Sequence, residues 1–283
     1  MEKKQKETKM DKLTPMSPNY SFLDLCREAS SAASDAVSNL VGDSKKAGKI
    51  VGMGADGTPT AKIDLVAEAA ILEVLQAEGR SMRIISEELG EIVIGDSPEV
   101  SFILDPLDGT YNAAFGIPIY NVSLAAASPD SSQIFFGYVR NLAVEEEYFA
   151  EKGRGAYLNG KAIRPSKNTD PHNICISAYG YRKNLERGRK LQSNIRRLRI
   201  LGSVALELCY VASGKLDAFV DIRNALRVTD VAAGQLILKE AGGAVTDSFG
   251  KPLKLPANVV HRVEMVASNG HVHQKLLQLL SGE

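Results

Sequence analysis

Asp105-Pro106-Leu107-Asp108-Gly109-Thr110 follows a short apolar run, Val100-Ser101-Phe102-Ile103-Leu104. The run is partly β-branched and reads as a buried strand. Two aspartates then stand on either side of a proline. Pro106 fixes one backbone angle and biases Asp105 towards an extended conformation, so the chain is expected to turn where the strand stops. Both carboxylates can then converge on one point, with the Leu107 carbonyl between them. Oxygen donors of this kind suit a hard cation such as Mg²⁺. Gly109 allows close approach of the backbone to a ligand, and a helix starting there would aim the amides of Gly109 and Thr110 at an anion. The same letters also describe an ordinary capped turn with solvated acids.

Three further segments bear on that choice. Arg83-Ile84-Ile85-Ser86 reads as a second strand and ends in Glu87-Glu88. Ala61-Lys62-Ile63-Asp64 leads into a helix expected over 65–76, with Asp64 near its start. Val228-Thr229-Asp230-Val231-Ala232-Ala233-Gly234 opens another helix, closed by Gly242-Gly243, with Asp230 in its first turns. Each acid alone passes for a cap. Together they form a set of carboxylates at the ends of elements, flanked by small or apolar residues.

In order and spacing these segments resemble the lithium-sensitive, metal-dependent phosphatase superfamily of inositol monophosphatases and fructose-1,6-bisphosphatases. Within it, Val51-Gly-Met-Gly-Ala-Asp-Gly-Thr-Pro-Thr60, Gly116-Ile-Pro-Ile-Tyr120, Gly202-Ser203 with Glu207-Leu-Cys209, and Asp221-Ile-Arg223 are similar to the archaeal-type dual-specificity enzymes. Many inositol monophosphatases carry Trp before the last metal aspartate. Thr229 stands there in this chain, which has no Trp.

The resemblance implies an α+β fold, the layered αβαβα sandwich of the sugar phosphatases. The site would lie between a lobe over 20–165 and a lobe over 166–283. It implies two or three Mg²⁺ ions, with Mn²⁺ as a substitute. Asp105 would bridge two of them. Glu87 and the Leu107 carbonyl would complete the first site, Asp108 and Asp230 the second, and Asp64 would support a third ion. Thr110 and Glu87 would orient the attacking water, and the amides of Gly109 and Thr110 would hold the phosphate. Gly202, Ser203, Ala205 and Asp221 would meet substrate hydroxyls. Arg199 and Arg223 would serve a second phosphate, with Tyr179 and Tyr181 as weaker candidates, whereas Arg227 reads as surface charge. The implied reaction is hydrolysis of fructose 1,6-bisphosphate and inositol 1-phosphate by direct in-line attack of water. Adenosine 3′,5′-bisphosphate and histidinol phosphate are alternative substrates in the same superfamily. A cytoplasmic homodimer or larger homo-oligomer, acting in carbohydrate metabolism and gluconeogenesis, is the corresponding expectation.

Composition agrees. The 283 residues contain 34 Lys plus Arg against 34 Asp plus Glu, so no global field favours nucleic acid or a membrane surface. Three cysteines, Cys26, Cys175 and Cys209, do not read as a disulfide framework and fit a reducing cytosol. Cys175 and Cys209 read either as buried thiols or as a pair. No apolar run is long enough to span a bilayer, and the charged N-terminus lacks the apolar core of a secretory signal. Residues 1–19 are rich in Lys and Glu and are expected to form a disordered tail or, less simply, a partner-binding arm.

Helical spacing of apolar residues predicts helices over 21–40, 204–212, 229–241 and 272–280. Strands are expected over 121–128, 133–141 and 146–151 as a meander, with shorter ones near 174–177, 199–201, 218–220 and 265–268. Residues 45–60 read as a Gly-rich loop, mobile and able to close over the metal site by the resemblance. Its Gly52-x-Gly54-x-x-Gly57 lacks the strand–turn–helix setting of a dinucleotide site. His271 and His273 read as surface residues. Ser203 and His261 lack the setting of a serine hydrolase.

Overall fold

The computed structural model describes residues 21–180 and 185–281. The expected tail over 1–19 and Tyr181 lie outside the described residues.

Helix α1 (Phe22–Val37) is capped by the Ser21 hydroxyl, which accepts the Asp24 N–H at 3.1 Å, and it buries Leu25, Ala29, Ala33 and Val37 at helical spacing. A short helix α2 (Ser44–Ala47) follows. The expected Gly-rich loop contains an antiparallel hairpin, β1 (Ile50–Met53) and β2 (Pro59–Ala61). No alternation of apolar and polar residues marks it, because β1 is exposed along its whole length. Helix α3 (Lys62–Ala77) carries Asp64 in its first turn.

Strands β3 (Met82–Ser86), β4 (Gly90–Ile94) and β5 (Val100–Asp108) come next, then helix α4 (Thr110–Phe115). The meander is β6 (Asn121–Ala127), β7 (Ile134–Asn141), β8 (Glu146–Glu151), β9 (Ala156–Leu158) and β10 (Lys161–Ala162). Strand β11 (Cys175–Tyr179), helix α5 (Leu185–Asn194), strand β12 (Arg197–Arg199) and helix α6 (Val204–Ala212) follow. The chain ends in β13 (Ala218–Leu226), α7 (Val228–Ala241), β14 (Ala244–Thr246), β15 (Val263–Ser268) and α8 (His273–Ser281). The reading of the sequence missed β4, β9, β10, α5 and β14; residues 153–160, rich in Gly, read as turns. Helix α5 is strongly polar, and β14 has three residues, so neither has a distinct apolar period.

An eight-stranded sheet runs β10-β9-β8-β7-β6-β5-β3-β4, and a five-stranded sheet runs β12-β11-β13-β15-β14. Helices α1 and α3 cover one face of the large sheet, around Phe102, Leu104, Val122 and Leu124. Helices α6 and α7 fill the space between the sheets, against Ile103, Ala125 and Val139 on one side and Phe219 and Met265 on the other. Helices α5 and α8 pack together over the outer face of the small sheet, around Val220 and Leu276. The layers are therefore α, β, α, β, α.

Strand β5 does not stop at Leu104. It continues through Asp108, and its pairing with β6 slips between Asp105↔Ser123 and Asp108↔Asn121. One extra residue on β5 is a bulge, where Pro106 costs no ladder hydrogen bond. The bulge bends the strand end and turns both aspartates away from regular alternation. The chain turns only after Asp108, four residues beyond the expected strand end at Leu104, at Gly109, whose φ of 94° favours glycine.

Helix α7 lies directly on β7 at Gly137. A Cβ there would come within 2.9 Å of the Ala233 carbonyl oxygen and 3.2 Å of its Cα. The helix and the sheet thus touch backbone to backbone, and this contact fixes the depth of α7. Gly137→Ala should lower the urea midpoint with m unchanged, by about 1–3 kcal/mol from overpacking, and Gly137→Val should cost more. A Gly137→Val protein as stable as wild type would contradict the contact.

Candidate active site

The ends of β3 and β5 and the start of α7 converge. Glu87 directly follows β3, Asp105 lies at the bulge, and Asp230 lies in the first turn of α7. One carboxylate oxygen from each falls within 4.8 Å of the other two. Asp105 and Asp230 are buried, and Glu87 is partly so. Glu87 and Asp105 are both pushed above the ordinary carboxylate range. Burial is the main cause, followed for Asp105 by the charges of Glu87 and Asp108. For Glu87, Arg227 opposes the rise and Asp230 adds to it.

Arg227, read from the sequence as surface charge, lies at the centre of this cluster. Its Nη2 is 2.8 Å from Asp230 Oδ1, and its Nη1 donates to Asp56 Oδ2 at 2.7 Å and to Glu87. The backbone N–H of Arg227 also donates to Asp230 Oδ2 at 2.7 Å, closing the first turn of α7. The missed signal is the spacing Arg227-x-x-Asp230 across a helix start. Asp56 was missed as well. It lies in the turn of the β1–β2 hairpin, with its carboxylate accepting from the Thr58 N–H at 2.8 Å.

Asp108 and Asp64 lie outside the group of three. The Asp108 carboxylate accepts from the Ser203 hydroxyl at 2.9 Å, the Val204 N–H at 3.2 Å, the Ala205 N–H at 2.8 Å and the Asn121 amide at 2.9 Å. It therefore joins the bulge of the large sheet to the amino end of α6, where amides favour a negative charge. Asp64 is buried, which pushes it up to about 7 against an opposing hydrogen bond from Thr110. The Thr110 hydroxyl is 2.8 Å from Asp64 Oδ1 and 3.2 Å from the Leu107 carbonyl, and donates its one proton between them. Gly109 and Thr110 begin α4, and Gly202 adjoins it, since a Cβ on Gly202 would be 3.3 Å from the Asn112 amide nitrogen.

Asp221 is fully buried and receives the Arg223 guanidinium through Nε at 3.1 Å and Nη2 at 2.5 Å. That guanidinium lies 4.3 Å from the centre of the Tyr179 ring. Arg199 is exposed on the edge strand β12 and donates to the Leu198 carbonyl. His273 is not a surface residue. It is buried, with Nδ1 2.9 Å from the Ser268 hydroxyl and Nε2 3.0 Å from the Thr246 hydroxyl. All three cysteines are free thiols.

The donor set is made of carboxylate oxygens with more negative charge than one guanidinium neutralises. It fits a hard divalent cation and offers neither the nitrogen nor the sulfur that softer metals prefer. A model of the inositol monophosphatase family matches residues 21–282. The chain is 46% identical over 256 residues to the fructose-1,6-bisphosphatase/inositol-1-monophosphatase of Methanothermobacter thermautotrophicus, covering 87% of this chain and 91% of that protein. It is 35% identical over 267 residues to the bifunctional NADP phosphatase/NAD kinase of Methanocaldococcus jannaschii, covering 83% of this chain but 46% of that protein. The crystal structure of an inositol monophosphatase–fructose 1,6-bisphosphatase aligns with a TM-score of 0.83 at 33% identity, over 92% of this chain and 100% of that one. The chain belongs to the inositol monophosphatase family, in the company of its archaeal fructose-bisphosphatase/inositol-phosphatase members, and is an enzyme. Among the described residues no helix is long and apolar enough to cross a membrane.

Glu207 ties the site to the small sheet. Its buried carboxylate accepts from the Ser177 hydroxyl at 2.6 Å, the Leu201 N–H at 2.7 Å and the Tyr179 hydroxyl at 3.0 Å. Burial still pushes it up to about 7, with the charge of Asp108 adding to the rise. The folded state then binds this proton more tightly than the unfolded chain. Stability from Glu207 is full below pH 4.5 and is lost as pH rises through about 7. In EDTA, the unfolding free energy of the wild type should fall between pH 5 and 8. Glu207→Gln should remove a part of that fall, at most on the order of 3 kcal/mol. Denaturant melts at four pH values test this, and an equal or steeper fall in Glu207→Gln would contradict it.

Proposed function

We propose that the protein is a Mg²⁺-dependent phosphomonoesterase that hydrolyses fructose 1,6-bisphosphate and inositol 1-phosphate by direct in-line attack of water. The meeting of Glu87, Asp105 and Asp230 within 4.8 Å carries this reading. Bound divalent cations would neutralise the phosphate, activate a water and stabilise the leaving alkoxide. Glu87, Asp105, the Leu107 carbonyl, Asp108 and Asp230 would hold them, and Asp64 would assist a further ion. Glu87 and Thr110 would orient the attacking water. The hydrogen bond between Thr110 and Asp64 supports this, because it fixes where the Thr110 oxygen can accept or donate. The amides of Gly109 and Thr110 would receive the phosphate, as the left-handed Gly109 starts α4 there. No side chain need become phosphorylated.

Gly202, Ser203, Ala205 and Asp221 would line the substrate side. Arg199 and Arg223 are the candidates for a second phosphate, and Arg223 is favoured by its place on Tyr179 and Asp221 beside the segment that contacts Asp108. The relatives that act as NADP phosphatases support a second substrate class, a nucleotide 2′-phosphate. Adenosine 3′,5′-bisphosphate and histidinol phosphate belong in the same comparison. Phosphate release from each ester, with and without Mg²⁺, ranks them. A chain that released none with Mg²⁺ present would contradict the assignment.

Asp105→Asn should lower turnover roughly 1,000-fold, because it removes the charge of a buried carboxylate that would hold the cations. Its metal-free melting temperature should equal or exceed that of the wild type, because like-charge repulsion in the cluster falls. Substantial Mg²⁺-dependent turnover in this variant would overturn the ligand assignment. Arg223→Ala should cost roughly 10- to 100-fold in kcat/KM on fructose 1,6-bisphosphate, the worth of a charge-assisted hydrogen bond. Inositol 1-phosphate, with one phosphate, should be affected less. Equal losses on both would move the second phosphate elsewhere.

A further inference from the structure

A second cleft lies along the later half of α7, between the β6–β7 turn, the end of β8 and the chain around Leu253. It holds about 340 Å³, enough for a small molecule, and none of Glu87, Asp105 and Asp230 lines it. Lys239, on its wall, is nine residues beyond Asp230, roughly 14 Å along the helix axis. The polar lining of this cleft is incomplete. Lys152 Nζ donates to the Gln133 side-chain oxygen at 3.5 Å, and Lys239 Nζ to the Gln235 side-chain oxygen at 3.0 Å. Among the described residues neither ammonium has a carboxylate partner. Glu240 lines the cleft too, but its oxygens accept the Gly153 N–H at 2.9 Å and the Gly155 N–H at 3.1 Å. Two positive charges therefore share one cleft with neutral amides.

Ser131 is the second observation. It lines the same cleft, is 7% exposed, and its hydroxyl has no hydrogen-bond partner. Its φ of 58° lies in the left-handed region, unfavourable for serine, and its N–H donates to the Ser128 carbonyl at 2.7 Å, which closes the turn. A buried hydroxyl without a partner and a strained backbone both cost stability, and they cluster where a ligand is held. The rest of the wall is apolar, at Leu236, Leu253 and Leu255. We propose that this cleft is a second anion site that takes a small phosphomonoester. The phosphate lies between Lys152 and Lys239 and receives the Ser131 hydroxyl, and the organic body covers the leucines. Ammonium groups bind phosphate as point charges, so two of them suit a dianion without the fork geometry of arginine. A neutral ligand would leave both charges unpaired, and a bare phosphate would leave the leucines uncovered. Helix α7 supplies Lys239 to this cleft and Asp230 to the acidic cluster, so the two sites share one rigid element.

Phenyl phosphate is titrated by calorimetry into the full chain without added metal, at fixed ionic strength. Under these conditions the acidic cluster repels a phosphate, so uptake reports on the second cleft. Wild type should bind one equivalent. Inorganic phosphate should bind more weakly, because it has no ring to cover the leucines. Lys152→Met and Lys239→Met should each weaken phenyl phosphate roughly 10- to 100-fold, the loss of one charge-assisted contact. Ser131→Gly keeps the left-handed backbone, removes the hydroxyl and should weaken binding less. Both lysines are exposed, so their variants should keep the fold, which circular dichroism checks. Lys152→Gln or Lys239→Gln replaces a variant that fails to fold and is judged by the same criterion. Asp105→Asn should bind phenyl phosphate as wild type does. Wild type that binds none, or either lysine variant that binds as tightly as wild type, would overturn the proposal. A changed affinity in Asp105→Asn would put the anion in the acidic cluster and overturn it as well.

Discussion

Three carboxylates held within 4.8 Å repel one another, and the protein must oppose that repulsion before any ligand arrives. Arg227 does so from inside the cluster. Its position depends on α7, because residue 227 is the cap of that helix and Asp230 lies in its first turn. The position of α7 in turn depends on the backbone contact at Gly137 and on the apolar packing between two sheets. Charge compensation at the site and close packing in the middle layer are therefore two aspects of one constraint. Losing the depth of α7 would separate Asp230 from Glu87 and leave buried charge without its partner, which is costly.

The regular part of the fold was legible because its elements are periodic and apolar. The meander over β6, β7 and β8 and the helices α6 and α7 lie within a residue or two of expectation. What escaped is polar or irregular. Helix α5 has little apolar surface, β1 has no buried residue, and the bulge in β5 cannot be told from a turn by letters alone. The acids were legible as acids at the ends of elements. Their partners were not: Arg227-x-x-Asp230 is the one local cue, and the other two partners of Arg227 are 171 and 140 residues away. His273 escaped for the same reason, as its hydroxyl partners come from β14 and β15.

Asp108 shows how the layers communicate. Its carboxylate closes the bulge on one side and the first amides of α6 on the other. Two hydrogen bonds from the Asn112 amide, at 2.8 Å each to the Ile119 and Leu201 carbonyls, make a second tie across the same boundary. Glu207 and Tyr179 extend the network, with the Tyr179 hydroxyl accepting the Gly202 N–H at 2.9 Å. The segment over 201–205 thus has little freedom relative to α4. A substrate held between them would meet walls already in place, which reduces the ordering cost of binding.

The large sheet is assembled entirely from residues that precede α6 and α7, the helices that cover its inner face. Its last strand ends at Ala162, and α7 ends at Ala241. During synthesis at roughly 5–20 residues/s, about 4–16 s separate these two points on the ribosome. For that time Ile103, Ala125 and Val139 face no partner, although each is almost fully buried in the finished protein. The nascent chain therefore exposes an apolar sheet face, the kind of surface that chaperones hold and that neighbouring chains on a polysome can stick to. A separately expressed amino-terminal fragment would carry the same face permanently, so complementation by the carboxy-terminal half is the form in which such a split enzyme would become soluble.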